Sequence, residues 1–233
     1  MFCRRYAATY DIVAVYRRAR PWFAAQDARF VNPADLEARL PANDHPLFVV
    51  QADLAEPAGC ERAVDAALDR FGRIDVLVNA AVYSVWAPML GTSRLLGSAE
   101  RQFCVNVVVP LRMASVIAER WWQARPEENR SNNRNIVNVS SIAGVHLYQG
   151  AGQGVYAASK SALNQLTGHM AMEFGAIGVR ANATAPNAFP EIVTTERAAA
   201  SIRELDQSSA TGTVVVLDRK EGVDVTETLQ LGP

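Results

Sequence analysis

The chain has 233 residues, a net charge of -1 at pH 7 and 49% hydrophobic residues. This composition predicts one globular domain over 1–233 and argues against a disordered or nucleic-acid-binding chain, because no basic stripe is present. The cysteines Cys3, Cys60 and Cys104 are too widely spaced for a disulfide framework or a metal cluster, so we expect no metal site and a cytoplasmic location. No signal peptide is recognisable and no apolar run approaches a membrane span, so no membrane association is expected.

Short apolar runs alternate with amphipathic runs along the chain. The apolar runs predict strands at 11–16, 46–54, 74–81, 135–141, 179–186 and, as the last, 211–218. Helical periodicity and capping residues predict helices at 32–40, 60–71, 98–122, 156–174 and 195–205. Gly72 is the expected C-cap of the second helix, and Pro110 predicts a kink within the third.

This alternation indicates an α/β fold with a doubly wound, Rossmann-like parallel sheet, because strands that are apolar on both faces need helices on either side. Such sheets bind ligands beyond the carboxyl ends of their strands. Six residues fall at or just after the predicted strand ends: Arg17, Arg18, Asp53, Asn79, Ser141 and Pro186. We therefore expect the functional site at this edge of the sheet.

Tyr156 and Lys160 stand four residues apart at the start of the helix predicted at 156–174, which puts both side chains on one helical face. A phenol exchanges protons with a carbonyl or alcohol oxygen if its pKa of about 10 is lowered, and a neighbouring ammonium does this by favouring the phenolate. Lys160 and Lys220 are the only lysines in the chain. Arginine replaces a titratable ammonium poorly, so this lysine indicates a chemical role. The alternative is a chance pattern, with Tyr156 packed and Lys160 solvated.

The stretch 138–160 resembles the active-site segment of the short-chain dehydrogenase/reductase family, in particular its single-domain type similar to 3-oxoacyl-acyl-carrier-protein reductases. The resemblance implies that Ser141 positions the substrate oxygen. It also implies that Tyr156 is the acid/base and that Lys160 activates the tyrosine and contacts the nicotinamide ribose. The loop between Ser141 and Tyr156 is about two residues longer than is usual in the family, a length that its glycines could absorb.

Other matches to the family imply a nicotinamide cofactor. Asp53 and Leu54 resemble the pair that holds the adenine ring. Asn79 and Ala80 resemble the turn beside the cofactor, and Pro186 belongs to a turn near the nicotinamide. The competing interpretations are that Asn79 only caps a turn and that Asp53 only ends a strand.

Two asparagines complete the resemblance. Asn106 matches the asparagine that kinks its helix and anchors a water in the proton relay; alternatively, its side chain satisfies a carbonyl freed by Pro110. Asn187 replaces the glycine that follows Pro186 in the family. Since asparagine is the commonest non-glycine residue in the left-handed region, we expect that backbone conformation at Asn187.

Arg17 and Arg18 follow the strand that corresponds to the second strand of the family. A ribose 2'-phosphate is expected at that position, and no acidic residue stands there to prefer a 2'-hydroxyl. The pair therefore favours NADP(H) over NAD(H), unless it forms only a solvated loop.

The glycine-rich turn T-G-x-x-x-G-x-G of the family has no counterpart in the chain. Only ten residues precede Asp11, so the predicted sheet is missing the strand that is first in the family and central in its sheet. Three explanations are open. The start is placed too late, the protein is a cofactor-poor relative, or the chain does not fold stably.

The favoured hypothesis is an NADP(H)-dependent oxidoreductase that interconverts a ketone and a secondary alcohol, with Tyr156 as acid/base. A 3-oxoacyl thioester, a steroid and a small secondary alcohol are the substrates considered. By analogy with the family, a homodimer or homotetramer is expected through the helices at 98–122 and 156–174. The alternative is a pseudoenzyme or truncated remnant that serves as an oligomerisation or binding partner.

Overall fold

The computed structural model describes residues 1–18, 47–90, 93–147 and 152–232. The chain forms two compact units, Met1–Ile74 and Asp75–Pro233, and each is considered by itself. The helix predicted at 32–40 lies outside the described residues. A single domain over 1–233 stays a prediction.

The first unit contains two parallel strands and two helices. Its elements are α1 (Phe2–Tyr6), β1 (Ile12–Tyr16), β2 (Leu47–Gln51) and α2 (Pro57–Phe71). Strand β1 pairs with β2 along its full length. Gly59 lets α2 approach the loop after β2, because a Cβ here would lie 1.9 Å from the Asp53 carbonyl oxygen. Helix α2 ends as predicted at Gly72, whose left-handed backbone (φ 69°) lets its N–H donate to the Leu68 carbonyl.

The second unit is built on a five-stranded sheet. Its strands are β3 (Val76–Asn79), β4 (Asn135–Val139), β5 (Arg180–Pro186), β6 (Thr213–Lys220) and β7 (Val223–Gln230), in that spatial order. Strands β3 to β6 are parallel, and β7 is antiparallel to β6. The predicted α/β fold with a parallel sheet is confirmed. Within the described residues the strands form two sheets, one in each unit.

Strand β7 shows that the prediction of 211–218 as the last strand was wrong. Glu221 (φ 51°) and Gly222 (φ 82°) form the two-residue turn that reverses the chain after β6. Most β7 side chains are exposed, and the half-buried ones, Val225 and Leu229, lie on one face of the strand. Apolar residues at 223, 225 and 229 alternate with polar ones, so the period-two pattern of a strand was present in the sequence and was missed.

Five helices of the described chain accompany this sheet: α3 (Ser93–Phe103), α4 (Val109–Ile117), α5 (Pro126–Ser131), α6 (Gly154–Gly175) and α7 (Thr195–Gln207). The helix predicted at 98–122 begins earlier and contains two π-helical turns, Cys104–Val108 and Ala118–Trp122. The first π turn lies just before Pro110, which has no N–H to donate to the carbonyl of Asn106 four residues earlier. The predicted kink thus takes the form of a widened turn.

The helical run Leu95–Trp122 is long and apolar enough, by length and composition, to cross a membrane. The expectation that no apolar run approaches this length was therefore wrong. In the second unit the run packs against β3 and α6. It also buries two polar side chains, Gln102 and Asn106, which bond the loop after β3. These contacts are those of a core helix.

The sheet of the second unit is buried at its centre. Strand β4 is buried from Asn135 to Asn138, and β5 is buried from Ala181 to Pro186. Covered strands of this kind explain the near-continuous apolar runs of the sequence. Because β3, β4 and β5 are parallel neighbours, the loops that follow them leave the sheet at the same edge.

Candidate active site

Strand β4 ends in two serines at this edge. Ser140 is buried, and its N–H donates to the Thr184 carbonyl at 2.7 Å. Ser141 caps the 3-10 turn Ile142–Gly144, with its Oγ accepting from the Ala143 N–H at 3.2 Å. This cap holds the Ser141 hydroxyl at the carboxyl end of β4.

Helix α6 brings Tyr156 and Lys160 to the same place. Tyr156 lies in the first turn of the helix and hydrogen-bonds the Ser141 side chain. Lys160 follows one turn later, with its Nζ 6.0 Å from the centroid of the Tyr156 ring. A hydroxyl, a phenol and an ammonium group, all predicted from the sequence, are therefore neighbours in the structure.

Burial governs the ionisation of the tyrosine and the lysine. Burial raises the pKa of Tyr156 above its ordinary value of 10, and the hydrogen bond with Ser141 lowers this pKa in part. Burial lowers the pKa of Lys160 from 10.5 to about 8. Ser141 is the group that lowers the phenol pKa in the structure, and the expected lowering by Lys160 stays a prediction. The Lys160 ammonium donates to the Val139 carbonyl at 2.8 Å, and its Nζ stands 6.0 Å from the centroid of the tyrosine ring.

A close backbone contact fixes the position of Lys160. A Cβ at Gly144 would lie 2.7 Å from the Lys160 backbone carbon, so only glycine lets α6 pack this tightly on the turn after β4. The Gly144 carbonyl accepts from the Ser161 hydroxyl at 2.9 Å and from Asn164 Nδ2 at 3.2 Å. The Ser140 hydroxyl donates to the Lys160 carbonyl at 3.3 Å. The helix is thus joined to the end of β4 on both sides of the lysine.

Asn106 lies in the π turn between α3 and α4, and its side chain contacts α6. Its buried Oδ1 accepts from the Tyr83 N–H at 2.9 Å, and its Nδ2 donates to the Tyr83 carbonyl and to the Ser159 hydroxyl, both at 3.0 Å. Ser159 donates in turn to the Tyr156 carbonyl at 2.7 Å. The Asn106 amide therefore does not hydrogen-bond the carbonyl that lacks a donor because of Pro110, which was the alternative role considered for it. Its role in anchoring a water stays a prediction.

Asn79 ends β3 in a buried chain of polar side chains. Its Nδ2 donates to Asn138 Oδ1 at 2.9 Å, and Asn138 Nδ2 donates to Thr167 Oγ1 at 2.9 Å. These hydrogen bonds link β3, β4 and α6. Asn79 therefore has a structural role beyond the turn capping that we considered. Ala80, the next residue, is exposed and marks where β3 opens to the site.

Pro186 is buried at the end of β5, and Asn187 follows it. The expectation of left-handed backbone at Asn187 was wrong, because the non-glycine residues with positive φ in the described chain are two others. The Asn187 N–H donates to the Leu217 carbonyl at 2.8 Å, and its Nδ2 donates to Asp218 Oδ1 at 2.7 Å. The asparagine thus bonds the turn to β6 through its side chain.

The other predicted residues belong to the first unit. Arg17 and Arg18 are exposed directly after β1, and Arg17 Nη1 lies 4.0 Å from the Asp53 carboxylate, which follows β2. Asp53 Oδ1 also accepts from the N–H of Ala55 at 3.0 Å, so the carboxylate caps its own turn. Leu54 beside it is half-buried. Within this unit the four predicted residues lie at the carboxyl ends of neighbouring strands.

Three residues around the site were not predicted: Gln102, Asn138 and Ser159. All three are buried and polar, and each bonds a loop or helix that carries a predicted residue. Gln102 and Asn106 are four residues apart, so they share a helical face that is otherwise apolar. That pattern of polar residues on a core face was the available signal.

The sequence matches a known family. The profile described as short chain dehydrogenase matches residues 23–204. The chain is 30% identical over 138 residues to a peroxisomal 2,4-dienoyl-CoA reductase of Danio rerio, covering 59% of this chain and 42% of that protein. It is 30% identical over 183 residues to a 3-oxoacyl-acyl-carrier-protein reductase of rhamnolipid biosynthesis from Pseudomonas aeruginosa. That match covers 76% of this chain and 65% of that protein. The chain spans about half the length of the curated relatives it matches.

Solved structures show the same fold. A 4-hydroxyisoleucine dehydrogenase complexed with NADH and succinate superposes with a TM-score of 0.66 at 25% identity. The superposition covers 93% of this chain and 91% of that one.

Proposed function

The chain belongs to the short-chain dehydrogenase family, and on that premise we propose that it is an NADP(H)-dependent oxidoreductase that interconverts a ketone and a secondary alcohol. The observation that carries the proposal is the meeting of Ser141, Tyr156 and Lys160 at the carboxyl end of β4. Named relatives are dehydrogenases and reductases, which favours an enzyme over the pseudoenzyme that we considered.

Tyr156 is the proton donor to the substrate oxygen in the direction of ketone reduction. Burial raises the pKa of its phenol, so the group is protonated at neutral pH, and transfer of that proton requires neighbouring groups that stabilise the phenolate. Ser141, hydrogen-bonded to the phenol, holds the same substrate oxygen in line with the proton. The Lys160 ammonium then stabilises the phenolate that remains, because opposite charges attract strongly in a buried site.

The nicotinamide cofactor supplies the hydride when bound. On the second unit, Asn79, Ala80 and Pro186 are the residues that we propose to contact it. Lys160 fits this role, because an ammonium has three donors and the described residues give its Nζ one acceptor, Val139 O. The remaining donors of this buried group suit the hydroxyls of a ribose.

The first unit has residues that suit an adenosine phosphate. Arg17 and Arg18 are exposed cations that suit a 2'-phosphate, the group that distinguishes NADP(H) from NAD(H). Asp53 and Leu54 follow the neighbouring strand, where they would hold the adenine ring. The donor set of this unit therefore fits the phosphorylated cofactor.

We further propose that the protein is a homodimer or homotetramer in a reducing, cytoplasmic setting. Phe103, Val108 and Leu111 expose about two fifths of their surface each on the helical run from α3 through the first π turn to α4, and Met172 on α6 exposes 49%. Such apolar residues on helical faces suit contact with a second copy. No disulfide joins the described cysteines, which is compatible with a reducing compartment.

The proposal is tested by titrating the 233-residue chain with NADPH and with NADH, following the thermal midpoint. Saturable stabilisation by NADPH that exceeds the stabilisation by NADH is expected, because a ligand that binds only the folded state raises its stability. A screen of ketones with NADPH follows, with Tyr156→Phe as the inactive control. A folded chain that binds neither nucleotide would overturn the proposal.

A further inference from the structure

The turn after β5, residues 187–193, is joined to β6 at its first residue. The Asn187 N–H donates to the Leu217 carbonyl at 2.8 Å, which continues the pairing of β5 with β6 by one residue. The turn is also folded on itself, because the Ala188 carbonyl accepts from the N–H groups four and five residues later, at 2.8 and 3.0 Å. The way in which Asn187 is held therefore sets the direction in which this compact turn leaves the sheet.

Both ends of the Asn187 amide are used in this connection. Its Nδ2 donates to Asp218 Oδ1 at 2.7 Å, and its Oδ1 accepts from the N–H of Ala188 at 2.7 Å. The residue does not have the positive φ that would let the backbone alone make the turn. The side chain thus bridges the start of the turn to the carboxylate on β6.

Asp218 is the first residue of β6 beyond the last pair with β5, which joins Pro186 to Leu217. It is half-buried, between the buried Leu217 and the exposed Arg219. Its Oδ1 also accepts from the Arg219 N–H at 2.8 Å, and within the described chain the carboxylate has no cationic partner. A hydrogen bond to an ionised acceptor is stronger than one between neutral groups. The bond between Asn187 and Asp218 is therefore a strong link from β6 to the turn.

We propose that Asp218 is a positioning residue for the nicotinamide end of the cofactor and that it acts through Asn187. Pro186, directly before Asn187, is one of the residues proposed to contact the cofactor, so this inference rests on the proposed function. Holding such a contact residue in place before binding lowers the cost of ordering it on binding. The competing interpretation is that Asp218 only ends β6, through its bond with the Arg219 N–H.

The test compares two substitutions of Asp218 in assays with NADPH and the ketone that gives the highest rate. Asp218→Leu removes the acceptor and keeps a similar size, so the KM for NADPH is expected to rise by about tenfold. The KM for the ketone should stay unchanged. Asp218→Asn keeps an acceptor oxygen and should restore most of the wild-type KM for NADPH. A purely structural role would only reduce the amount of folded chain, which lowers the apparent kcat and raises neither KM.

Two further variants locate the effect. Asp224→Leu is the matched control, because the Asp224 carboxylate lies on the neighbouring strand β7, is 61% exposed and stands 3.7 Å from the Arg219 guanidinium. It should keep both KM values. The double variant Asn187→Ala/Asp218→Leu should raise the KM for NADPH no more than the larger single effect, since both substitutions remove the same hydrogen bond.

Hydrogen exchange measures the turn without any turnover. Peptides that cover 187–193 should exchange faster in Asp218→Leu than in the wild type, and at the wild-type rate in Asp218→Asn and Asp224→Leu. An active wild type with an unchanged KM for NADPH in Asp218→Leu would overturn this inference and leave the proposed function standing. Equal exchange in Asp218→Leu and wild type would overturn it as well. A folded wild type that binds neither nucleotide would overturn the proposed function and this inference with it.

Discussion

Two buried cations stand at opposite ends of β4, and their surroundings differ. Arg134 immediately precedes the strand and is 0% exposed. Lys160 contacts the far end, at Val139, and is 2% exposed. One strand therefore has a buried cation beside each of its ends.

Arg134 is fully paired. Its Nε donates to Asp75 Oδ1 at 3.1 Å, its Nη2 donates to Glu128 Oε1 and its Nη1 donates to Asn129 Oδ1. Lys160, in contrast, donates to one neutral carbonyl, and no carboxylate of the described chain lies within ion-pair distance of it. The arginine is compensated within the fold, whereas the lysine keeps donors for another group.

The comparison teaches which buried charge serves structure and which serves chemistry. A charge with complete pairing holds elements together, and removing it leaves its partners uncompensated. A buried charge without a counter-ion raises the energy of the folded state and is retained where a ligand or a reaction uses it.

Tyr156→Phe should lower kcat for ketone reduction by about a hundredfold to ten-thousandfold, because it removes the proton donor from the lysine end of β4. The free energy of unfolding should change by no more than about 1 kcal/mol, since one hydrogen bond, with Ser141, is lost. Steady-state kinetics with NADPH and urea unfolding measure the two quantities. A variant with full activity would remove Tyr156 from the reaction.

Arg134→Met should lower the free energy of unfolding by about 3 kcal/mol, because it removes a fully buried cation that bonds a buried amide and two partly exposed carboxylates. Urea unfolding measures the loss. Arg130→Met is the matched control: its Nη1 lies 2.7 Å from Glu127 Oε1, but this ion pair is on the surface. It should cost no more than about 1 kcal/mol. Equal losses in the two variants would contradict the structural role of Arg134.

Lys160 should make stability depend on pH. Its pKa is about 8 in the folded chain and ordinarily 10.5, so between these values the unfolded state binds more protons and the free energy of unfolding rises with pH. Below pH 8 both states are protonated and the full penalty, at most about 3 kcal/mol, applies. We expect wild-type stability to rise relative to Lys160→Met from pH 8 to pH 10.

Urea unfolding at intervals of pH compares the two chains. The upper limit of pH 10 keeps the measurement below the range in which Tyr156 contributes. Burial raises the pKa of that phenol, so its contribution is lost only as the pH rises above 10. A constant difference between wild type and Lys160→Met over this window would show that the lysine is not desolvated.

Gly144→Ala should lower the free energy of unfolding by about 1 to 3 kcal/mol, because its Cβ would meet the Lys160 backbone at 2.7 Å and push α6 away. The shift should also lower kcat through the displaced lysine. Gly97→Ala is the control, since no atom lies within 4 Å of its Cβ and alanine favours the helix α3 by about 0.5 to 1 kcal/mol. Thermal melts of both variants decide whether the tight packing at Gly144 is required.

Much of the fold could be predicted from the sequence because the signals are local. The strand at Ile12–Tyr16, the C-cap at Gly72 and the helix Thr195–Gln207 follow from apolar runs and capping residues. Strand β7 was missed although Val223, Val225 and Leu229 alternate with polar residues, because Glu227 interrupts the apolar face and most of the strand is exposed. The backbone at Asn187 was wrongly predicted, because a side-chain bond to Asp218 decides its conformation.

The candidate site, like the fold, could be predicted from the sequence only in part. The four-residue spacing of Tyr156 and Lys160 and the place of Ser141 at a strand end are properties of the sequence alone, since helix and strand periodicity act over a few residues. The tertiary structure alone decides that burial raises the tyrosine pKa and lowers the lysine pKa. It also decides that Asn106 and Gln102 accept from the Tyr83 and Val85 N–H groups and so hold the segment after β3. These effects depend on groups that are distant in sequence, because desolvation and hydrogen-bond partners exist only after the elements have packed.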